Sequence, residues 1–328
     1  MKGRRIVFRD KGVVELEDFE ITGPGEGEVL VKTKYSLISP GTEVAFLYGL
    51  PNTPRKYPQY PGYSAVGEVI EVGKGVASVG VGDLVCVRGR HSNLLLVPEE
   101  EAIRVPERIS LLDAVFFELA AISLQGVRKA RIELGEEVLI IGAGVIGQLA
   151  AQFSKLAGGI PVVIADFIEF RLEKALESGV DLRMNLSEVS VEEGFRRFVG
   201  APSAPVVIEA TGNPEAIITA LRAARRLGRV VLLGSTRGET TINFYSLVHR
   251  KGVSIIGAHI STLPQADSYP GFWTHQKEWD TFFKLLQYDR VRVRHLVTDV
   301  IDPKDAPRAY EWLLKEKDRH LAVAIRWD

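Results

Sequence analysis

The stretch VLIIGAGVIGQLAAQFSKLAGGIPVVIAD, residues 138–166, decides the fold. Its apolar opening, Val138 to Ile141, has the length and β-branched composition of a buried strand. Gly142, Gly144 and Gly147 follow in the spacing GxGxxG. The first glycine permits a tight turn, the second lets backbone approach a pyrophosphate, and the third lets a helix pack closely on the sheet. The helix that opens with Val145 and Ile146 presents unpaired N–H groups and a partial positive charge to that phosphate. Ala150, Ala151, Phe153, Leu156 and Ala157 carry its apolar face, and Gly158 and Gly159 end it before Pro161. A second apolar run, Val162 to Ala165, closes on Asp166, 19 residues after Gly147 (166 − 147). A carboxylate there accepts hydrogen bonds from an adenosine ribose diol and repels a 2′-phosphate, which predicts NAD(H) over NADP(H). Phe167 belongs with this site, and Arg171 lies within reach of either adenine or a 2′-phosphate.

The same strand–helix alternation extends from residue 135 to 258, with runs at Val206 to Glu209, Val230 to Leu233 and Val253 to Ile256. Alternation of this kind implies a parallel sheet with right-handed crossovers. Thr211 and Gly212 follow one strand, and Gly234 and Ser235 another, at the carboxyl edge where such sheets bind ligands. Before residue 110 the pattern is alternating and turn-rich (VVELEDFEI, EVLVKTKYSLI, SAVGEVIEVG, DLVCVRG), which predicts a mainly β domain. The period turns helical from Leu111 to Ala130, with Ser110 or Asp113 as N-cap. Helices are expected again near 278–286 and 303–315, with a last strand at 321–326.

The 328 residues suit two domains, and 46% hydrophobic with 25% charged residues describes a globular chain. A net charge of −1 gives no global pull toward nucleic acid. Arg222, Arg225, Arg226 and Arg229 read as a solvated helical face. No apolar run approaches the ~18 residues of a membrane span, and the N-terminus lacks the apolar core of a leader, so a cytoplasmic location is expected. Cys86, the single cysteine, excludes an internal disulfide.

Further segments extend the picture: PGYSAVGEVIEVGKGV (61–76) with VGDLVCV (81–87), VVIEATGNPEAIITALRAARRLGRVVLLGS (206–235) and HLVTDVIDPKDAPRAYEWLL (295–314). Together with the glycine turn they resemble the medium-chain dehydrogenase/reductase superfamily, the zinc alcohol dehydrogenase-like proteins. ISPGTE (38–43) and VHRKGVSIIGAHI (248–260) are most similar to its bacteriochlorophyllide dehydrogenase-like branch. The resemblance implies an α/β architecture: a Rossmann doubly wound parallel sheet domain plus a GroES-like, mainly β substrate domain. It places the substrate domain at 1–118 and again at 259–328, the NAD-binding domain at 119–258, and catalysis in the cleft where they meet.

The chain departs from the family at the metal. Zinc members carry a ligand cysteine in a C-G-[ST]-D context, where this chain has Ser39-Pro40-Gly41-Thr42-Glu43. They also carry G-H-E, where this chain has Gly62-Tyr63-Ser64. Hydroxyls and a phenol are poor substitutes for the His, Cys and carboxylate ligands of catalytic zinc, so no metal is expected; a set drawn from Glu118, Glu43 and His91 is the remaining alternative. The resemblance then points to Thr42 as a relay hydroxyl, Tyr63 as a donor to substrate oxygen, and Glu118 as a proton acceptor. A non-catalytic packing role is open for Tyr63, and His91, His249 and His259 read as structural histidines.

The implied activity is NAD-dependent interconversion of a secondary alcohol or polyol and its ketone. Enone or quinone reduction and a non-catalytic NAD(H) sensor are the alternatives. A small-molecule substrate, no nucleic-acid or membrane partner, and a homodimer or homotetramer pairing through the edge run Val253 to Gly257 complete the expectation. The aromatics Tyr57, Tyr60, Tyr269, Phe272 and Trp273 are candidates for an apolar pocket wall.

Overall fold

The structure is a computed structural model that describes residues 1–264, 266 and 273–327. It divides into two compact units, Met1–Glu118 with Leu296–Asp328, and Leu119–His295. The return to the first unit was expected at 259 and falls at 296. The intervening segment belongs with the second unit because its side chains are spent there. Glu278, on the helix His275–Gln287, takes both carboxylate oxygens to Arg128 at 2.9 and 3.0 Å, and Gln152 exchanges two hydrogen bonds with the backbone of Arg292.

The second unit is built on six parallel strands in the order Leu182–Asn185, Val162–Asp166, Val138–Ile141, Ala204–Glu209, Ala224–Leu232 and Ser254–Gly257. In chain order this is 3-2-1-4-5-6, the doubly wound arrangement whose direction reverses between the first and fourth strands. Val138–Ile141 is buried on both faces, as its unbroken apolar run required. Leu139, Ile141, Val163, Ala165 and Val207 pack with Phe195 and Leu221 from the covering helices. The sequence pattern missed Leu182–Asn185, because an outer strand alternates polar with apolar residues over too few positions. It also misplaced the arginines. The helix Pro214–Ala223 ends early, and Arg225, Arg226 and Arg229 lie on the strand Ala224–Leu232. Arg229 donates to Ala130 O at 2.7 Å and pairs with Glu136.

The first unit carries a seven-stranded sheet whose path runs Val297–Ile301, Ala322–Arg326, Glu28–Leu37, Ala65–Val72, Leu84–Val87 and Ile103–Arg104, with the seventh strand, Leu94–Pro98, paired to Glu28–Leu37 off that path. A separate hairpin joins Lys2–Asp10 to Val13–Glu20. Lys2–Asp10 went unrecognised in the sequence because its charged ends hide a buried centre, Ile6 to Phe8. One core gathers Ile6, Phe8, Ile38, Leu47, Tyr310, Ile325 and Trp327, which brings the two chain ends together; another gathers Val29, Val31, Val69, Val85 and Val97. Cys86 is buried, and desolvation holds its thiol well above the ordinary range. No helix among the described residues is long and apolar enough to cross a membrane.

Candidate functional site

In the second unit the glycine turn has the geometry its spacing required. Gly142 sits at φ +104°, in the left-handed region, and a Cβ there would meet Thr211 Cγ2 at 2.7 Å. A Cβ on Gly147 would lie 1.8 Å from Gly142 O, so only glycine lets the helix Val145–Leu156 start this close to the turn. Gly144, its N-cap, has nothing within 4 Å of a Cβ position. Its surroundings are open where backbone must approach a ligand. The first-turn N–H groups of Val145, Ile146 and Gly147 have no acceptor earlier in the helix, as at any helix start.

Asp166 ends its strand half-buried, and its carboxylate also braces the turn: Oδ2 accepts from Ala143 N at 2.7 Å and Oδ1 from Ile168 N at 3.1 Å. Each oxygen retains a further lone-pair direction for a ribose hydroxyl. Arg171 is partly buried beside it; burial lowers the guanidinium, and the charge of Asp166 acts in the opposite sense. Phe167 is 67% exposed and lines a hollow of about 200 Å³ with Leu186, Val189 and Arg222.

Two residues of this site were not legible in the sequence. Glu209, fully buried at the end of the fourth strand, accepts from Thr211 N at 2.6 Å, from Thr211 Oγ1 and from Gly212 N at 3.2 Å. Burial raises its carboxyl, and these donors oppose the rise. The Thr211 hydroxyl is therefore engaged, and Gly212, at φ +70°, sits against Ser235 O and Gly234. Gln148 donates from Nε2 to Ala143 O at 3.0 Å and to Arg171 O at 3.2 Å, fixing the loop from inside. A long amide in a helix gives no local pattern that marks such a role. These residues fit a dinucleotide: a clear approach at Gly144, an N-terminal turn to face phosphate, and a carboxylate at the ribose position.

In the first unit Tyr63 OH donates to Ser39 Oγ at 2.5 Å and is also hydrogen-bonded by the Thr42 side chain. Desolvation chiefly, with the charges of Glu43 and Glu118, pushes the Tyr63 phenol above its ordinary range. Tyr63 is thus a neutral donor, and no cation among the described residues lowers it toward a base. Glu118 is 2% exposed, and the sequence presented it as a lone carboxylate; Arg88 lies 3.3 Å away and supplies the partner that buried charge requires. Thr42, Tyr63 and Glu118 therefore share one neighbourhood, joined by Ser39 and Glu43.

The residues that correspond to the zinc ligands do not fit the ion. Ser64 is buried and donates to Val115 O at 2.6 Å. His91 and Glu43 are bonded to each other at 2.9 Å, with the other ring nitrogen of His91 on Ser36 Oγ at 2.8 Å. Among the described residues no three His, Cys, Asp or Glu side chains converge as metal ligands. His259 bonds Ser261 Oγ at 2.7 Å and His249 stacks on Tyr245. Tyr57 OH donates to Leu47 O at 2.9 Å, and Tyr60 lies under Arg5 at 4.0 Å, so both have packing roles. Trp273 lies under Arg128 at 3.7 Å, and Tyr269 and Phe272 fall outside the described residues.

Comparison with known proteins agrees with this geometry. The family model described as alcohol dehydrogenase GroES-like domain matches residues 25–107, and the one described as zinc-binding dehydrogenase matches 145–277. D-Guloside 3-dehydrogenase of Escherichia coli (strain K12) is 28% identical over 269 residues, covering 81% of this chain and 75% of that protein. A short chain alcohol dehydrogenase of E. coli CFT073, solved with NADH, superposes with TM-score 0.86 at 24% identity over 99% of each chain. A Sinorhizobium meliloti 1021 dehydrogenase solved with NADP gives TM-score 0.82 at 22% identity, again over 99% of each chain. With both domain families matched in order along one chain, and a doubly wound sheet joined to a GroES-like sheet unit, the protein belongs to the medium-chain dehydrogenase/reductase superfamily as an alcohol dehydrogenase-like oxidoreductase.

Proposed function

We propose that this protein is an NAD(H)-dependent oxidoreductase that interconverts a secondary alcohol or polyol and its ketone without catalytic zinc. The observation that carries the reading is the hydroxyl cluster of Tyr63, Ser39 and Thr42, in which Ser39 and Tyr63 occupy the positions that the family resemblance assigns to zinc ligands and Thr42 that of the relay hydroxyl. NAD(H), when bound, takes up or supplies the hydride.

The chain's own residues then divide two tasks. In the second unit, Gly144 and the start of the helix Val145–Leu156 receive the pyrophosphate, Asp166 accepts from the ribose diol, and Glu209 holds the Thr211–Gly212 turn in place. In the first unit, a developing negative charge on substrate oxygen needs preorganised donors. Tyr63, held neutral, and Thr42 are those donors. Each hydroxyl both donates and accepts. The Tyr63 proton, which lies toward Ser39 Oγ in the structure, turns to the substrate oxygen when substrate binds, and the Ser39 hydroxyl donates to the phenol oxygen in its place. A proton passed on to substrate is made good through Ser39 by one taken from solvent water. Glu118, paired with Arg88, shapes the local field rather than carrying the proton. The same reading makes the protein a cytoplasmic homo-oligomer acting on a small molecule.

Elemental analysis of purified protein, followed by a screen of secondary alcohols and polyols with NAD⁺, tests it. The expected result is NADH formation at well under one zinc per chain. Stoichiometric zinc would overturn the metal-free mechanism, and silence on alcohols, ketones and enones by protein that still binds NADH would favour a sensor.

A further inference from the structure

Ser39 is the N-cap residue of the helix Pro40–Leu47, and an N-cap serine ordinarily turns its hydroxyl to a free N–H of the first turn. This one makes no such bond. The capping is done in the reverse sense: Glu43, on the helix itself, reaches back so that Oε1 accepts from Ser39 N at 2.7 Å. Ser39 Oγ is left free to accept from Tyr63. Glu43 has little freedom to do otherwise. It is 2% exposed, and its Oε2 accepts from Tyr310 OH at 2.5 Å and from His91 Nε2 at 2.9 Å. An acceptor-only carboxylate requires the proton on His91 Nε2, and the other ring nitrogen meets Ser36 Oγ, which itself accepts from Trp327 Nε1 at 2.8 Å. His91, Ser36 and Tyr310 are fully buried, so the network is closed to water.

We propose that Glu43 is a positioning residue for Tyr63: clamped by His91 and Tyr310, it caps the helix Pro40–Leu47 in place of Ser39 and so commits the Ser39 hydroxyl to orienting the phenol. This deepens the proposed function, on which it rests for the role of Tyr63. Three donors converge on the two oxygens of Glu43. A glutamine oxygen that stays on Ser39 N puts the NH₂ where Tyr310 OH and His91 Nε2 now donate, so both must turn to accept and the clamp on the carboxylate is reversed.

A double-mutant cycle with E43Q and S39A tests the idea, together with the ¹³Cζ resonance of Tyr63, assigned with Y63F. Because Glu43 acts through Ser39, each single variant should lower kcat by about 10- to 100-fold, with KM for NAD⁺ unchanged. The double variant should fall no further than the worse single. E43Q should also shift the Tyr63 resonance at neutral pH. V97A, in the other core of the same unit, controls for stability: it should lower Tm and leave kcat alone. Effects that multiply in the double variant, or a Tyr63 resonance unmoved in E43Q, would overturn the proposal. Wild-type protein silent on every substrate, with the resonance still moved by E43Q, would fail the functional reading and leave the positioning role standing.

Discussion

Asp166 and Tyr63 show how much chemistry one side chain carries here. Asp166, proposed above as the acceptor of the ribose diol, also braces Ala143 and Ile168. Replacing it with asparagine removes a charged acceptor, a change of about 1.5–3 kcal/mol. NADH should bind roughly 10- to 100-fold more weakly, and the ratio of NADH to NADPH affinity should fall. Fluorescence titration with both nucleotides measures this; NADPH binding more tightly than NADH to the wild type would reject the assignment. Tyr63 is a donor whose phenol burial keeps protonated. Tyr63→Phe should lower kcat about 10²-fold with NADH affinity unchanged, read from steady-state kinetics beside a binding titration. The two positions differ in how legible they were. That Asp166 ends the second strand was legible from the local apolar run, whereas the bond from Tyr63 to Ser39 joins positions 24 residues apart and has no local signature.

Among elements, the strand–turn–helix around Gly142 distinguishes steric from ligand-driven demands for glycine. Gly147→Ala would put a methyl 1.8 Å from Gly142 O, where backbone cannot yield. A loss of about 3 kcal/mol or more is expected, seen as a lowered Tm without ligand. Gly144→Ala has open space, so Tm without ligand should hold while NADH affinity drops at least tenfold as the methyl enters the pyrophosphate approach. Equal loss of Tm in both variants would contradict this division. This element was readable in advance because its causes are local: strand length, glycine spacing and helix period lie within 29 residues. Leu182–Asn185 and Lys2–Asp10 were unreadable because pairing partners, rather than their own pattern, make them strands.

For the whole molecule, the sheet of the second unit ends at Ser254–Gly257, where Ile255 is 36% exposed. An apolar edge strand invites pairing with its copy. Size-exclusion chromatography with light scattering should find a dimer or tetramer, and Ile255→Lys should shift it toward monomer; a monomeric wild type would contradict the pairing.

The sequence by itself determined the class of fold and the strand–glycine turn–helix at 138–156, since both follow from hydrophobic period and from glycines whose steric reasons lie nearby. Tertiary structure alone decided the rest. It showed that Glu118 has Arg88 as partner, that His91 and Glu43 satisfy each other, and that Glu209 braces Thr211 and Gly212. It also placed residues 259–295 with the second unit. The reason is physical: the cost of a buried charge or hydroxyl depends on what lies within about 3 Å of it, and those neighbours come from segments the chain order keeps far apart.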